Sequence, residues 1–290
     1  MKLCRYAPDR LGLIRGMLGN EGVHDVSAIA ERLPKSSWPY PYGDQLIAKL
    51  DALRADMEKL ADKATARPLA EVKLLSPIAN PGKVVVAGTN YSDHIEEAAR
   101  DQTLSHGRNV TRSLEEKGVF LKATSSIVGP SQGVAQRFPD RRNDHEVELC
   151  AVIGKTGTRI PQERALQHVA GYMVGLDMTV RGTEHPSLRK SIDSYTVFGP
   201  CLATADAVGD PQALDLKLWL NGEQKQSSNT CYMISTVARL IEYASQFYTL
   251  HPGDVLMTGT PAGVAPVKAG DLIEAEIDRI GRMRVPVRLA

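Results

Sequence analysis

The chain has 290 residues, 42% of them hydrophobic and 24% charged, with a formal net charge of +1. That length supports a substantial buried core, and that balance excludes a general attraction to nucleic acid or to an anionic membrane surface, so an anionic ligand must be held by local basic groups. No apolar run reaches bilayer length, MKLCRYAPDR lacks the apolar core of a secretory signal, and the four cysteines (Cys4, Cys150, Cys201, Cys231) form no CxxC pair, as expected of reduced thiols in a cytoplasmic protein.

Residues 1–77 read as a small N-terminal α+β unit and 78–290 as the main domain. Short strands are expected at 2–6 and 11–15. The stretch 36–43 (SSWPYPYG) reads as a loop, because Pro39 and Pro41 interrupt any regular element. The clearest helix covers 44–64, where Leu46, Ile47, Leu50, Leu53, Met57 and Leu60 share one face and charged residues fill the other. Leu75-Ser-Pro-Ile-Ala-Asn-Pro-Gly82 reads as a linker. Beyond it the pattern changes to short strands punctuated by glycine: 83–87, 119–122, 126–128 and 146–154. Helical turns are expected at 93–100, 161–169 (opening on Pro161) and 235–247. The strand 216–220 runs into Asn221-Gly222, a strong hairpin signal. The last strands are 254–258, 272–277 and 283–288. Within 272–278, Ile273, Ala275 and Ile277 alternate with Glu274, Glu276 and Asp278. Many short strands with few long helices argue for a β-rich α+β fold rather than a doubly wound sheet. The polar, weakly patterned segment 95–118 reads as a mobile lid or an insertion.

Most of the chemistry sits in Asp144-His-Glu-Val-Glu-Leu-Cys-Ala-Val-Ile-Gly154. On a strand, Glu146 and Glu148 point one way while Val147, Leu149 and Ala151 point the other. Two carboxylates side by side near a core repel each other and lose hydration, and a divalent cation relieves both. Asp177 ends another strand-like run, Gly171-Tyr-Met-Val-Gly-Leu-Asp177, and offers a third carboxylate. Three carboxylates without clustered His or Cys suit Mg²⁺ or Mn²⁺ better than Zn²⁺. The same ExE pattern also fits two glutamates on the wet face of an ordinary sheet.

The motifs taken together resemble the fumarylacetoacetate hydrolase family. They are Gly88-Thr-Asn-Tyr-Ser-Asp-His94, Asp144-His-Glu-Val-Glu148 with Val152-Ile-Gly-Lys155, the run ending at Asp177, Lys190-Ser-Ile-Asp193, Phe198-Gly-Pro200, and Pro252-Gly-Asp-Val-Leu-Met-Thr-Gly-Thr-Pro261 followed by Gly270-Asp271. The resemblance covers residue 84 to the C-terminus, and the N-terminal unit is similar to those that precede the family's catalytic domain. It implies a mixed β-roll fold of sandwich type and a divalent metal, Mg²⁺ or Mn²⁺, on Glu146, Glu148 and Asp177. In crystals Ca²⁺ would suit the same oxygens. It implies activity on small keto acids of the acylpyruvate type met in aromatic-compound breakdown, and a homodimer without nucleic-acid or membrane partners. Members hydrolyse carbon–carbon bonds in 1,3-diketo acids, and some decarboxylate or tautomerise instead.

His94 and Glu97 stand one helical turn apart if 93–100 is helical, so that the carboxylate orients the imidazole as a general base toward water. A surface His–Glu pair has the same spacing, and the resemblance favours the catalytic role. It also implies that Lys190 directs its ammonium at the metal site to stabilise a developing enolate. Arg181 has the planar fork that suits a substrate carboxylate. Many relatives read Ala-Arg-Asp where this chain reads Val180-Arg-Gly182, which leaves Arg181's orientation open. Thr258-Gly-Thr-Pro261 offers Gly259 N–H and the Thr260 hydroxyl to a carboxylate, in the manner of a nest. Tyr91 and Tyr195 are further substrate-binding positions, and Gln226 and Thr230 further pocket positions.

Three rival readings remain. Gly129-Pro-Ser-Gln-Gly133 matches the GxSxG nucleophile elbow, yet Val134-Ala-Gln-Arg-Phe-Pro139 shows no helix start after it. A non-catalytic metal- or keto-acid-binding protein would not need His94, Glu97 and Lys190. Decarboxylation or keto–enol isomerisation of oxaloacetate-like acids would use the same metal site, since each passes through an enolate.

Overall fold

The computed structural model describes residues 1–106, 111 and 113–290. Its first strands are β1 (Lys2–Tyr6), β2 (Arg10–Met17) and β3 (Asn20–Asp25). The last of these was not expected from the sequence. The expected helix over 44–64 is broken at Lys49, whose backbone leaves the helical region. A turn at Gln45–Ala48, capped by Asp44, precedes α1 (Leu50–Lys63). Leu50, Leu53, Met57 and Ala61 form its buried face, the one-per-turn spacing that a helix lying on a core requires. Then follow β4 (Val84–Ala87), α2 (Ser92–Arg100), α3 (Leu114–Lys117) and β5 (Val119–Lys122). The segment expected to be a lid or insertion is thus partly helical; 107–110 and 112 within it lie outside the described residues.

The central strands are β6 (Asn143–His145), β7 (Val147–Ile153), β8 (Val169–Asp177), β9 (Thr179–Val180) and β10 (Thr196–Thr204). Glu146 lies between β6 and β7, outside both, which corrects the single strand expected over 146–154. Residues 162–168 form a 3-10 helix, with Pro161 as its cap rather than its first residue. The remaining elements are β11 (Asp215–Leu220), β12 (Glu223–Asn229), α4 (Val237–Phe247), β13 (Val255–Met257), β14 (Leu272–Ile277) and β15 (Gly281–Leu289). Asn221 and Gly222 both have positive φ (52° and 84°), as the tight turn of the β11–β12 hairpin requires.

One large mixed sheet runs in the order β3-β2-β1-β10-β8-β7-β13-β4-β5, with short strands at its margins. All neighbours in this order are antiparallel except β13 and β4. β10 was missed because Pro200 argues against a central strand. Its ladder with β8 shifts register between Tyr172 and Val174, beside that proline. A second sheet, β12-β11-β14-β15, packs on the first and adds Val134–Gln136 at its edge. Ile273, Ala275 and Ile277 of β14 are its buried face, as alternation predicted.

Strand β1 pairs with β10, so the first residues extend the main sheet. Leu3, Leu13 and Val26 share an apolar cluster with Val84, Cys150 and Phe198. On the opposite face Val147, Leu149 and Ala151 enter the larger cluster with residues of the second sheet. β7 is therefore buried on both faces, and Glu148 is carried into the interior by an otherwise apolar strand. Strong alignment of β7 with β8 (Val147 opposite Leu176) places Glu146 and Asp177 together at one sheet end, where Asp177 N–H donates to the Glu146 carbonyl at 2.9 Å. Among the described residues no helix is long and apolar enough to cross a membrane.

Candidate metal centre and the cavity around it

Glu146, Glu148 and Asp177 each direct an oxygen to a common point, and these oxygens lie within 4.8 Å of one another. All three residues are buried, at no more than 4% exposure. Their surroundings differ. Glu146 accepts from Lys190 Nζ at 2.7 Å and from Arg181 Nη2 at 2.7 Å. Asp177 accepts from Lys190 at 2.6 Å and from the fully buried Lys122. Among the described residues Glu148 accepts one hydrogen bond, from the Gly259 N–H at 2.8 Å, and makes no ion pair. Burial pushes the Glu146 carboxyl up, but Lys190 and Arg181 outweigh it and hold the group well below the usual carboxylate range. Burial and the neighbouring Asp177 push Glu148 well above that range, against the pull of Lys190. A buried carboxylate facing two others must take a proton or a cation. The all-oxygen donor set suits a hard divalent ion, so these residues fit the metal that the sequence motifs imply.

The lysine and arginine side chains form a frame around the carboxylates. Lys190 places its three N–H groups on Glu146, Asp177 and Thr179 Oγ1. Lys122 also donates to the Tyr195 carbonyl at 2.8 Å, and its burial lowers its proton affinity against the pull of Asp177. Sequence reading missed Lys122; the only signal was a lysine closing the apolar strand Val119-Phe-Leu-Lys122. Arg181 Nε binds Asp144 at 2.6 Å while its Nη2 binds Glu146, which settles its orientation without an acid at 182. Space around Gly182 is filled by Arg141, which donates to both oxygens of Glu184 and to the Arg181 carbonyl.

A cavity of about 200 Å³ opens onto the three carboxylates and is lined also by His94, Arg181, Lys190, Gly259 and Thr260. His94 and Glu97 meet as the helix spacing predicted: His94 Nδ1 lies 2.9 Å from Glu97 Oε2, and Glu97 Oε1 accepts from Gly263 N–H at 2.9 Å. The carboxylate is thus pinned to a second loop, and His94 stands on the cavity wall with Nδ1 taken by Glu97. Gly259 has φ +91°, and a Cβ there would lie 2.8 Å from the Asn90 Cβ. Only glycine fits both, and Asn90 in turn ties the 258–260 turn to residue 235 through Thr258 O and Ser235 O. Gln226 is fully buried and does not line the cavity. Its Nε2 donates to Thr260 Oγ1 at 2.8 Å and to Pro261 O, so the Thr260 O–H is left to donate elsewhere.

Three further expected pocket residues lie away from the cavity. Tyr195 uses its phenol on Asn143 at 2.5 Å. Thr230 accepts from Leu214 N–H at 3.0 Å. Tyr91 is fully buried, and burial, with the nearby Glu148 carboxylate, pushes its phenol up. Ser131 of the GxSxG match accepts from Leu74 N–H inside a 3-10 turn followed by a strand, so it lacks the nucleophile-elbow geometry.

Residues 83–288 match the model of the fumarylacetoacetate hydrolase C-terminal family. The chain is 49% identical to a maleylpyruvate hydrolase of Aquipseudomonas alcaligenes, over 99% of each chain. It is 38% identical to a human mitochondrial oxaloacetate tautomerase, covering 97% of this chain and 90% of that one. The structure aligns over the full length of both chains with a maleylpyruvate hydrolase of Sphingobium sp. SYK-6, solved with manganese (II) and pyruvate, at 34% identity and a TM-score of 0.82. The carboxylate cluster, the ordered motifs and these matches agree: the chain belongs to the fumarylacetoacetate hydrolase family.

Proposed function

We propose that this protein is a Mn²⁺- or Mg²⁺-dependent hydrolase that cleaves acylpyruvates such as maleylpyruvate into pyruvate and a carboxylic acid. The observation that carries this reading is the His94–Glu97 pair on the wall of the cavity that opens onto Glu146, Glu148 and Asp177. When bound there, the cation supplies Lewis-acid polarisation of the substrate's α-keto acid end. Glu97 takes the Nδ1 proton of His94 as a hydrogen bond and so keeps Nε2 as the base. His94 then removes a proton from water as its oxygen adds to the distal carbonyl carbon. The bond between that carbon and the pyruvate methylene breaks, and the proton held by His94 returns to the methylene carbon. Water is consumed and the two acids leave. Lys190 and Arg181 place positive charge beside the developing enolate, and the Thr260 hydroxyl is set as a donor by Gln226.

The similarity to oxaloacetate tautomerases favours a second reading, proton exchange at the carbon next to the keto group on the same residues. A product assay separates the two. Maleylpyruvate, fumarylpyruvate, acetylpyruvate and oxaloacetate are incubated with enzyme and Mn²⁺ or Mg²⁺, and products are identified by mass. Pyruvate with maleate supports hydrolysis. Keto–enol exchange of oxaloacetate without cleavage of any diketo acid refutes it.

A further inference from the structure

Lys117 closes α3 and lines the same cavity as the three carboxylates. Its Nζ donates to the carbonyl and the hydroxyl of Thr89, both at 2.6 Å. An ammonium has three donors, so one is left. The two glutamates beside it in sequence are engaged elsewhere. Glu115 pairs with Arg239 of α4 at 2.6 Å, and Glu116 accepts from the Ser113 N–H at 2.8 Å. The capping box and the Arg239 contact also fix α3 in place, so Lys117 is presented by an anchored element. Among the described residues no carboxylate pairs with Lys117, whereas Arg181 and Lys190 on the same cavity are both bound to acids. Burial alone acts on its proton affinity, lowering it. Thr89, at φ +38°, lies in the left-handed region that a β-branched residue rarely enters, and Lys117 grips it there.

A half-buried ammonium with a spare donor and no acidic partner is a site for an anionic group of a ligand. The α-keto acid end of the substrate is directed to the acidic cluster, which leaves the acyl end to meet the rest of the wall. We infer that Lys117 binds a second carboxylate at the acyl end, so that the enzyme selects dianionic diketo acids over those ending in a methyl group. This inference rests on the acylpyruvate reading and names the substrate class within it.

The test compares kcat/KM for maleylpyruvate and acetylpyruvate, with Mn²⁺, in wild type, Lys117→Met, Lys117→Gln and Lys117→Arg. Lys117→Met is expected to lower the maleylpyruvate-to-acetylpyruvate ratio roughly 10- to 100-fold, the usual worth of a charged hydrogen bond. The change should sit in KM, since the group is remote from the bond that breaks. Lys117→Arg should restore most of the ratio. Lys117→Gln keeps a donor for Thr89 and guards against a folding defect; it should lose the ratio as Lys117→Met does. An unchanged ratio in both neutral variants, even with lower overall activity, makes Lys117 a clamp on Thr89 and overturns the inference. If wild type cleaves neither compound, the hydrolase reading fails; both are then stable ligands, and their Kd ratio by calorimetry decides Lys117 by the same criterion.

Discussion

Replacing Glu97 with glutamine changes one oxygen to nitrogen and leaves the side-chain shape intact. The wild-type carboxylate accepts twice, from the His94 ring at 2.9 Å and from Gly263 N–H at 2.9 Å. An amide cannot do both. With its oxygen toward His94, its NH₂ opposes the Gly263 N–H and releases the loop that holds the pair. With its NH₂ toward His94, Nδ1 must accept, the ring proton moves to Nε2, and the nitrogen facing the cavity can no longer take a proton from water. Either arrangement removes general-base catalysis, which is worth 10²–10⁴ in rate, or about 3–5 kcal/mol of barrier. His94 is 7% exposed and Glu97 24%, so bulk water does not replace the lost carboxylate. Pyruvate release from maleylpyruvate at saturating Mn²⁺ is the assay, with Mn²⁺ affinity measured in parallel. The expected result is a kcat lowered at least about 100-fold, with KM and Mn²⁺ affinity little changed. A kcat within about threefold of wild type refutes the role given to this pair.

Glu148→Gln should spare the metal-free protein the cost of burying an ionisable carboxyl beside Asp177 while abolishing the stabilisation that Mn²⁺ provides. The Glu148 carboxyl is raised in the folded state, so its contribution is complete below the usual carboxylate value of about 4.5 and lost as pH rises above it. The metal-free wild type should therefore lose Tm relative to Glu148→Gln as pH rises from roughly 5 to 8, and a parallel pair of Tm curves would refute this assignment. Lys122→Met leaves Asp177 buried without one of its two cations and should cost about 3–5 kcal/mol in metal-free denaturant unfolding, and less with Mn²⁺ bound. Gly259→Ala forces a side chain into a left-handed turn against Asn90 and removes the donor geometry at Glu148; a loss of about 1–3 kcal/mol and weaker Mn²⁺ binding are expected by thermal shift and calorimetry.

Local signals carried the functional reading well where chemistry and period coincide. The spacing of His94 and Glu97 required only that 93–100 be helical. The spacing of Glu146 and Glu148 was read as alternation on one strand. In the structure Glu146 lies just outside β7, and the two meet because the backbone between β6 and β7 directs both carboxylates inward. Asp177 entered through the order of motifs; its place opposite Glu146 is a product of β7–β8 register, which no local pattern encodes. Tyr195 and Thr230 were misplaced for the same reason, since cavity membership depends on pairings between distant segments. Lys122 was invisible because a lysine at a strand end usually reaches solvent, and only the neighbouring Asp177 reveals it as buried. The proline within β10 hid the strand that joins the N-terminal residues to the rest of the sheet.

The central claim is that Glu146, Glu148 and Asp177 together hold the divalent cation. An anomalous difference map from crystals grown with Mn²⁺ tests it most directly. A single strong peak within bonding distance of an oxygen from each of the three, about 2.0–2.3 Å for such an ion, is the predicted result. No peak there, or a Mn²⁺ peak elsewhere in the cavity with Lys190 still bridging Glu146 and Asp177, would contradict it.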